Sequence, residues 1–249
     1  MKIAALHAYA LILTNQSQNQ QYQNKYKLIP LLAIPVLNRY DLLDKNLELI
    51  DFPIKEILII NNGPEAYTPK RKDLNIRVLN LPSNLGMSGS WNLTIKLYPH
   101  EKYWLFSSAD THWIPGSLKK FYDNSSESKI ICSTEGFSCF SLGEDVVRKV
   151  GLFDEKFYPY VYEDDDYYER FQRLIKRDIS TGLTFNNNFV EVITPSGRAQ
   201  TIESDENLKN RYSMTLRKNR EYYLLKESED FLNMGSWDID VRRSQEWLT

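Results

Sequence analysis

The chain has 249 residues, enough for one large α/β domain or two small ones, and for a substantial buried core. Apolar residues make up 42% and charged residues 26%, as in an ordinary soluble globular protein. The net charge of −2 lacks the basic excess of a strong nucleic-acid binder, although Arg211, Arg217, Lys218 and Arg220 form a local basic patch.

Residues 3–13 are a short apolar run after Lys2. The run is too short to span a bilayer, is interrupted by His7 and Tyr9, and has no small-residue cleavage site behind it. A buried strand or helix at the domain edge, and no membrane span, is the expectation. Residues 14–26 are rich in Gln and Asn and cannot supply a core face, so they read as a linker or flexible loop. The chain therefore divides into an extension and linker over 1–27, a main domain over 28–228 and a tail over 229–249.

In the main domain, the continuous apolar run 28–37 predicts a buried parallel strand closed by Asn38-Arg39. Periodicity over 41–50 predicts a helix with Asp41 as N-cap. Residues 55–63 predict a second buried strand ending in the turn Asn61-Asn62-Gly63, and 76–82 a third, shorter one. A helix is expected over 87–98 after the loop Asn84-Leu85-Gly86, then a fourth strand over 102–110. A helix opened by Pro115 covers 114–124. Two strands joined through Glu135-Gly136 cover 129–142, and a short helix over 144–151 stops at Gly151. Helices over 165–177 and 206–227 complete the pattern, without internal repeats. Strands alternating with helices imply an α/β fold with a mostly parallel sheet flanked by helices and a helical C-terminal segment. Ligands of such sheets bind beyond the carboxyl ends of the strands. The polar residues Asn38-Arg39, Asn61-Asn62-Gly63 and Ser107 to Asp110 fall at those ends. Cys132 and Cys139 make neither a metal framework nor a convincing disulfide pattern, which points to a reducing cytoplasm.

The most distinctive segment runs from Gly151 through Tyr158 to Tyr162-Glu163-Asp164-Asp165-Asp166 and Arg170. Four adjacent carboxylates repel one another and are costly to desolvate. A generic acidic run is a solvated loop. Here Phe157, Tyr158, Tyr160, Val161 and Tyr162 would bury one side, and Pro159 fixes a turn. Carboxylates beside an aromatic wall suit a general base or a metal- and sugar-binding rim. Asp166 and Arg170, four apart on a helix, read as a structural ion pair.

Gly86 and Gly89 permit close backbone approach at a helix start, where free N–H groups favour phosphate; a plain turn and helix cap is the alternative. Asn61 could hydrogen-bond a base or ribose, or simply hold a tight turn. Asp110 would bind a divalent cation, the alternative being a helix cap.

Taken in order, the motifs resemble the GT-A glycosyltransferases of family 2, especially the rhamnosyltransferase-like branch, over about residues 29–225. Ala33-Ile34-Pro35-Val36-Leu37-Asn38-Arg39 resembles the first strand and its sugar-nucleotide loop, and Ile59-Ile60-Asn61-Asn62-Gly63 the second strand. Asn84-Leu85-Gly86-Met87-Ser88-Gly89-Ser90-Trp91-Asn92 is similar to the family's glycine loop. Ser108-Ala109-Asp110 sits at the metal motif, and Glu163-Asp164-x-Asp166-x-x-x-Arg170 at the acceptor-side Glu-Asp motif. The resemblance implies a GT-A, Rossmann-like fold and an inverting transfer from a nucleoside-diphosphate sugar to a hydroxyl acceptor, either a glycan or a modified base in DNA. It implies Asp164 as general base, Glu163 positioning the acceptor, and Mn or Mg on Asp110. Two departures bear on the metal. Ser108 replaces the first acid of the motif, and VITPSG, near Val192 to Gly197, lacks the family's later His. Metal affinity is then expected to be weak, with His112 as a further ligand, because Asp110 and His112 would point the same way in an extended segment.

Three other functions compete. A non-catalytic sugar- or nucleotide-binding module is motivated by Ser108. A nucleotidyltransferase of similar fold would need a Gly- and basic-rich first loop, whereas Pro35 to Tyr40 has only Arg39. A DNA acceptor sits poorly with the near-neutral charge.

Overall fold

The computed structural model describes residues 27–193 and 206–229. The expectations for 3–13, for 14–26 and for the chain beyond 229 lie outside the described residues, as does the segment 194–197 that lacks the His.

The strands are β1 (Leu32–Val36), β2 (Ile57–Asn61), β3 (Ile76–Asn80), β4 (Tyr103–Ser107), β5 (His112–Trp113), β6 (Lys129–Ser133), β7 (Gly136–Gly143), β8 (Thr184–Val190) and β9 (Val192–Ile193). The helices are α1 (Tyr40–Glu48), α2 (Gly86–Leu97), α3 (Ser117–Asn124), α4 (Glu144–Val150), α5 (Glu163–Arg177) and α6 (Glu206–Ser228). Seven strands form one sheet in the order β3-β2-β1-β4-β7-β6-β8, and β5 pairs with β9 apart from it. β7 runs antiparallel to both β4 and β6, and the other pairings of the large sheet are parallel. The expected α/β architecture with a mostly parallel sheet and a C-terminal helix is thus present.

β1, β2 and β4 are buried along their whole length, as continuous apolar runs require. Their side chains alternate between two cores, one on each face of the sheet. Ala33, Leu58, Ile60 and Phe106 pack with Trp91 and Ile95 of α2 and with Val146 and Tyr167 of α4 and α5. Leu32, Ile34, Ile57, Ile59 and Leu105 pack with Leu43 and Leu47 of α1 and with Leu118 and Phe121 of α3.

Some local expectations change. Asp41 is not the cap of α1: Arg39 holds that position, and Asp41 in the first turn binds its guanidinium at 2.7 and 2.8 Å. α3 begins at Ser117 rather than 114, because Gly116 turns the chain at φ +87°. α5 begins at Glu163, so all four acids lie in its first turn, where the helix dipole favours them. β8 was not expected. It is an edge strand whose centre is three Asn residues, which carry little strand propensity.

Candidate active site

Pro35 decides where the sheet opens. Leu32 N–H donates to Glu56 and the Val36 carbonyl accepts from Asn62, so even-numbered groups of β1 face β2. The Leu31 carbonyl accepts from Leu105, so odd-numbered groups face β4. Pro35 falls on the β4 side with no N–H to give. Pairing of β1 with β4 accordingly stops at Ala33↔Phe106, while β1 stays paired with β2 to Val36↔Asn61. Strand order reverses at the same place, since β1 leads outward to β2 and β3 on one side and to β4 on the other.

A cavity of about 610 Å³ occupies this opening. Pro35 to Leu37 and Ser108 to Asp110 form one wall, and Pro159 to Asp165 another. Asn62, Asn84, Gly86 and Met87 line it from the α2 side, and Tyr212 and Leu216 from α6. Of the residues singled out from the sequence, Pro35, Asn62, Asn84, Gly86, Met87, Ser108, Asp110, Glu163 and Asp164 meet here. Asn38, Arg39, Asn61, Gly63, Gly89, Ser90, Asn92 and His112 do not line the cavity.

The residues set back from the cavity hold its walls. Asn61 is fully buried and spends its whole amide inside the protein. It donates to the Glu65 carbonyl and to Asn80, and accepts from Tyr40 and the Gly63 N–H. It therefore holds the turn and has no group left over for a base. A Cβ on Gly63 would lie 2.0 Å from the Leu37 carbonyl oxygen. Asn92 binds the backbone of Phe153 through both ends of its amide and reaches Glu155, tying α2 to the segment before the acidic run. Asn62 donates to Ser90 and accepts from the Leu85 N–H.

The glycine loop also differs from expectation. The first two N–H groups of α2 are already engaged within the protein. Gly86 N–H goes to Asn84 Oδ1 and Met87 N–H to the Pro159 carbonyl. Gly86 has φ +71°, and a Cβ there would sit 2.6 Å from that carbonyl oxygen. The close approach that glycine permits is to the chain's own Pro159.

Asp110 lies in a turn in which Thr111 N–H bonds to the Ser108 carbonyl, so the extended geometry assumed for Asp110 and His112 does not apply. Burial raises the Asp110 carboxyl above its usual range, against the opposing pull of His112 and Arg39. Burial likewise lowers His112. Among the described residues no group of three His, Cys, Asp or Glu side chains could hold a metal ion.

The four acids of α5 resolve their repulsion by fanning into different surroundings, since successive helical residues point about 100° apart. Asp166 turns inward and pairs with Arg170 at 2.9 Å, the ion pair read from the sequence. Arg170 also binds the Val150 and Leu152 carbonyls, and Lys226 from α6 contacts Asp166. Asp164 and Asp165 keep contact with solvent. Glu163 is only 6% exposed, and its Oε2 has no hydrogen-bond partner among the described residues. Burial first, then the Asp164 charge, pushes its carboxyl well above the usual range.

The backbone leading into this turn is strained. Val161 and Tyr162 have φ +71° and +72°, a region costly for side chains other than glycine. Asn219 of α6 holds it there, donating to the Tyr160 and Val161 carbonyls at 2.9 and 3.1 Å. Lys226 and Tyr222 of α6 both bind Asp154. Sequence reasoning missed these α6 residues and Tyr212 and Leu216. The available signal was spacing: positions 212, 215, 216, 219, 222, 223 and 226 face inward, while Arg211, Arg217, Lys218 and Arg220 are exposed.

Among the described residues no helix is long and apolar enough to cross a membrane. No curated protein matches the chain. Among solved structures, TarS from S. aureus aligns at 13% identity and TM-score 0.42, over 57% of this chain and 55% of TarS. The chain thus spans about half of that structure. The catalytic domain of Drosophila β1,4-galactosyltransferase 7, in complex with xylobiose, aligns at 12% identity and TM-score 0.46, over 70% of this chain and 72% of that one. Glucosyl-3-phosphoglycerate synthase from Mycobacterium tuberculosis aligns at 10% and 0.44, over 78% and 80%. Residues 32–181, well over half of the sequence, match the family described as glycosyl transferase family 2. That match spans the family as a whole without singling out a rhamnosyltransferase-like branch, and by it the chain belongs to glycosyl transferase family 2.

Proposed function

We propose that the protein moves a sugar from a nucleoside-diphosphate sugar to a hydroxyl acceptor with inversion at the anomeric carbon. The observation that carries this is the cavity at the β1/β4 opening, which has Asp110 on one wall and Glu163 with Asp164 on another. The donor would lie along Pro35 to Leu37, Asn62, Asn84 and Ser108 to Asp110, and the acceptor would enter on the α5 side.

Asp164, partly open to solvent, takes the proton from the acceptor hydroxyl as that oxygen attacks the anomeric carbon. The bond from that carbon to the diphosphate oxygen breaks, and the nucleoside diphosphate leaves with the bonding electron pair. Displacement from the opposite side inverts the configuration. Glu163, whose carboxyl burial raises well above its usual range, positions the acceptor through Oε2, which has no partner among the described residues. Among the described residues four carboxylates and no basic side chain line the cavity, so a diphosphate there needs a counter-charge. A divalent cation, Mg or Mn, would be held by Asp110 together with the donor's own phosphate oxygens, a mode that suits a site with one protein carboxylate. When bound, it would neutralise the departing diphosphate. The free, buried thiols of Cys132 and Cys139 support a reducing, cytoplasmic setting.

The test is a thermal-shift screen of nucleoside diphosphates and their sugars with and without Mn²⁺, since a ligand of the folded state raises apparent stability. Transfer is then measured with the best donor, reading the product anomer by NMR. Donor-dependent stabilisation followed by transfer with inversion is the expected result. Retention of configuration, or no stabilisation by any nucleotide sugar, would overturn the proposal.

A further inference from the structure

We infer that α6 supplies one wall of an acceptor subsite built for an uncharged sugar ring, with Tyr212 and Leu216 as its apolar platform. The inference rests on the transfer function proposed above and names its acceptor class.

Tyr212 and Leu216 line the cavity on the same side as Glu163 and Asp164, yet they lie outside residues 32–181, the part shared with the family. Tyr212 stacks on Tyr160, with ring centroids 6.3 Å apart and planes 14° from parallel. The two rings and Leu216 make an apolar surface of the kind that packs on the C–H face of a pyranose. Beside it are two polar atoms without partners among the described residues, Tyr160 Oη and Glu163 Oε2, both buried and both on cavity-lining residues. Unpartnered buried polar atoms are costly, and a ligand that bonds them recovers that cost. An apolar face flanked by hydrogen-bonding groups is the complement of a sugar, which has an apolar ring face and a rim of hydroxyls.

Charge narrows the class further. Glu163, Asp164 and Asp165 stand on this side, and among the described residues no Lys, Arg or His lines the cavity. The exposed Arg211, Arg217, Lys218 and Arg220 lie on the outer side of α6 and do not enter it. A phosphorylated sugar or a DNA strand would bring negative charge against these carboxylates without a compensating base.

The test reads binding apart from turnover. Ligand-observed NMR titrations of the full chain use a panel of methyl hexopyranosides and methyl pentopyranosides, with glucose 6-phosphate and a short hydroxymethylated DNA duplex as charged probes. The variants are Tyr212→Ala, Tyr212→Leu and Tyr212→Phe. Leu keeps apolar bulk should Ala unsettle the helix, and a melting curve checks each fold. At least one methyl pyranoside should bind in preference to both charged probes. Its affinity should fall about tenfold in the Ala and Leu variants and survive in Phe, the scale of a lost aromatic contact. Unchanged affinity in Tyr212→Leu, no pyranoside bound, or tighter binding of either charged probe would overturn the subsite. A protein that binds pyranosides through Tyr212 but transfers no sugar would keep the subsite and refute the transfer. One that transfers sugar regardless of residue 212 would do the reverse.

Discussion

Lys226 is the most informative residue to replace. It is fully buried on α6 between Asp154, at 2.8 Å, and Asp166, which Arg170 also contacts. Among the described residues two carboxylates and two cations thus meet in a buried cluster that ties α6 to α5 and to the segment before the acidic run. Lys226→Met keeps much of the volume but removes one cation, leaving an uncompensated buried negative charge. Breaking a buried pair in this way costs about 3–5 kcal/mol. In a domain of this size that lowers Tm by roughly 6–20 °C. Adding Asp154→Asn to Lys226→Met removes the excess charge and should recover part of the loss. The assay is thermal melting of the parent and both variants. A gap below about 2 °C, or no recovery in the double variant, would refute this account of the cluster.

Three further outcomes are expected. Glu163→Gln should raise Tm at pH 8 and have little effect near pH 5. The Glu163 carboxyl is raised above its ordinary value of 4.5, so in the parent stability declines as pH climbs from there, and the neutral amide escapes that decline; melting curves across pH measure it. Asp164→Asn should cut transfer by roughly a hundredfold to ten-thousandfold, while nucleotide-dependent stabilisation in a thermal-shift assay persists. Asn219→Ala and Asn219→Asp both lose the donors that hold the Tyr160 and Val161 carbonyls. Each should destabilise by about 1–2 kcal/mol and lower kcat more than it changes the donor KM, which steady-state kinetics would separate.

The sheet was legible because its central strands are buried on both faces and so read as unbroken apolar runs. β8 was not, because an edge strand needs no such run and its Asn residues look like a loop. The acidic segment stood out through charge density, and its Asp166–Arg170 pair through helical spacing. What stayed hidden depends on contacts distant in sequence. Gly86 looked like room for a phosphate, and only the fold reveals Pro159 in that space. Asn61 looked free to bind a base until Tyr40, Glu65 and Asn80 were seen to use its amide. Tyr212 and Asn219 lie about fifty residues from the loop they serve, on a helix whose outer surface is largely polar.

The proline in β1 has a consequence for how the cavity exists over time. A gap between strands that could still bond would close and reopen with thermal motion, and a ligand would have to wait for the open form. An imino acid cannot make the missing bond at any moment. The opening is therefore permanent, written into the covalent chemistry of one residue, and its walls stand ready before any ligand arrives. The fold forgoes about one backbone hydrogen bond, on the order of 1 kcal/mol, for a cleft that requires no motion to form.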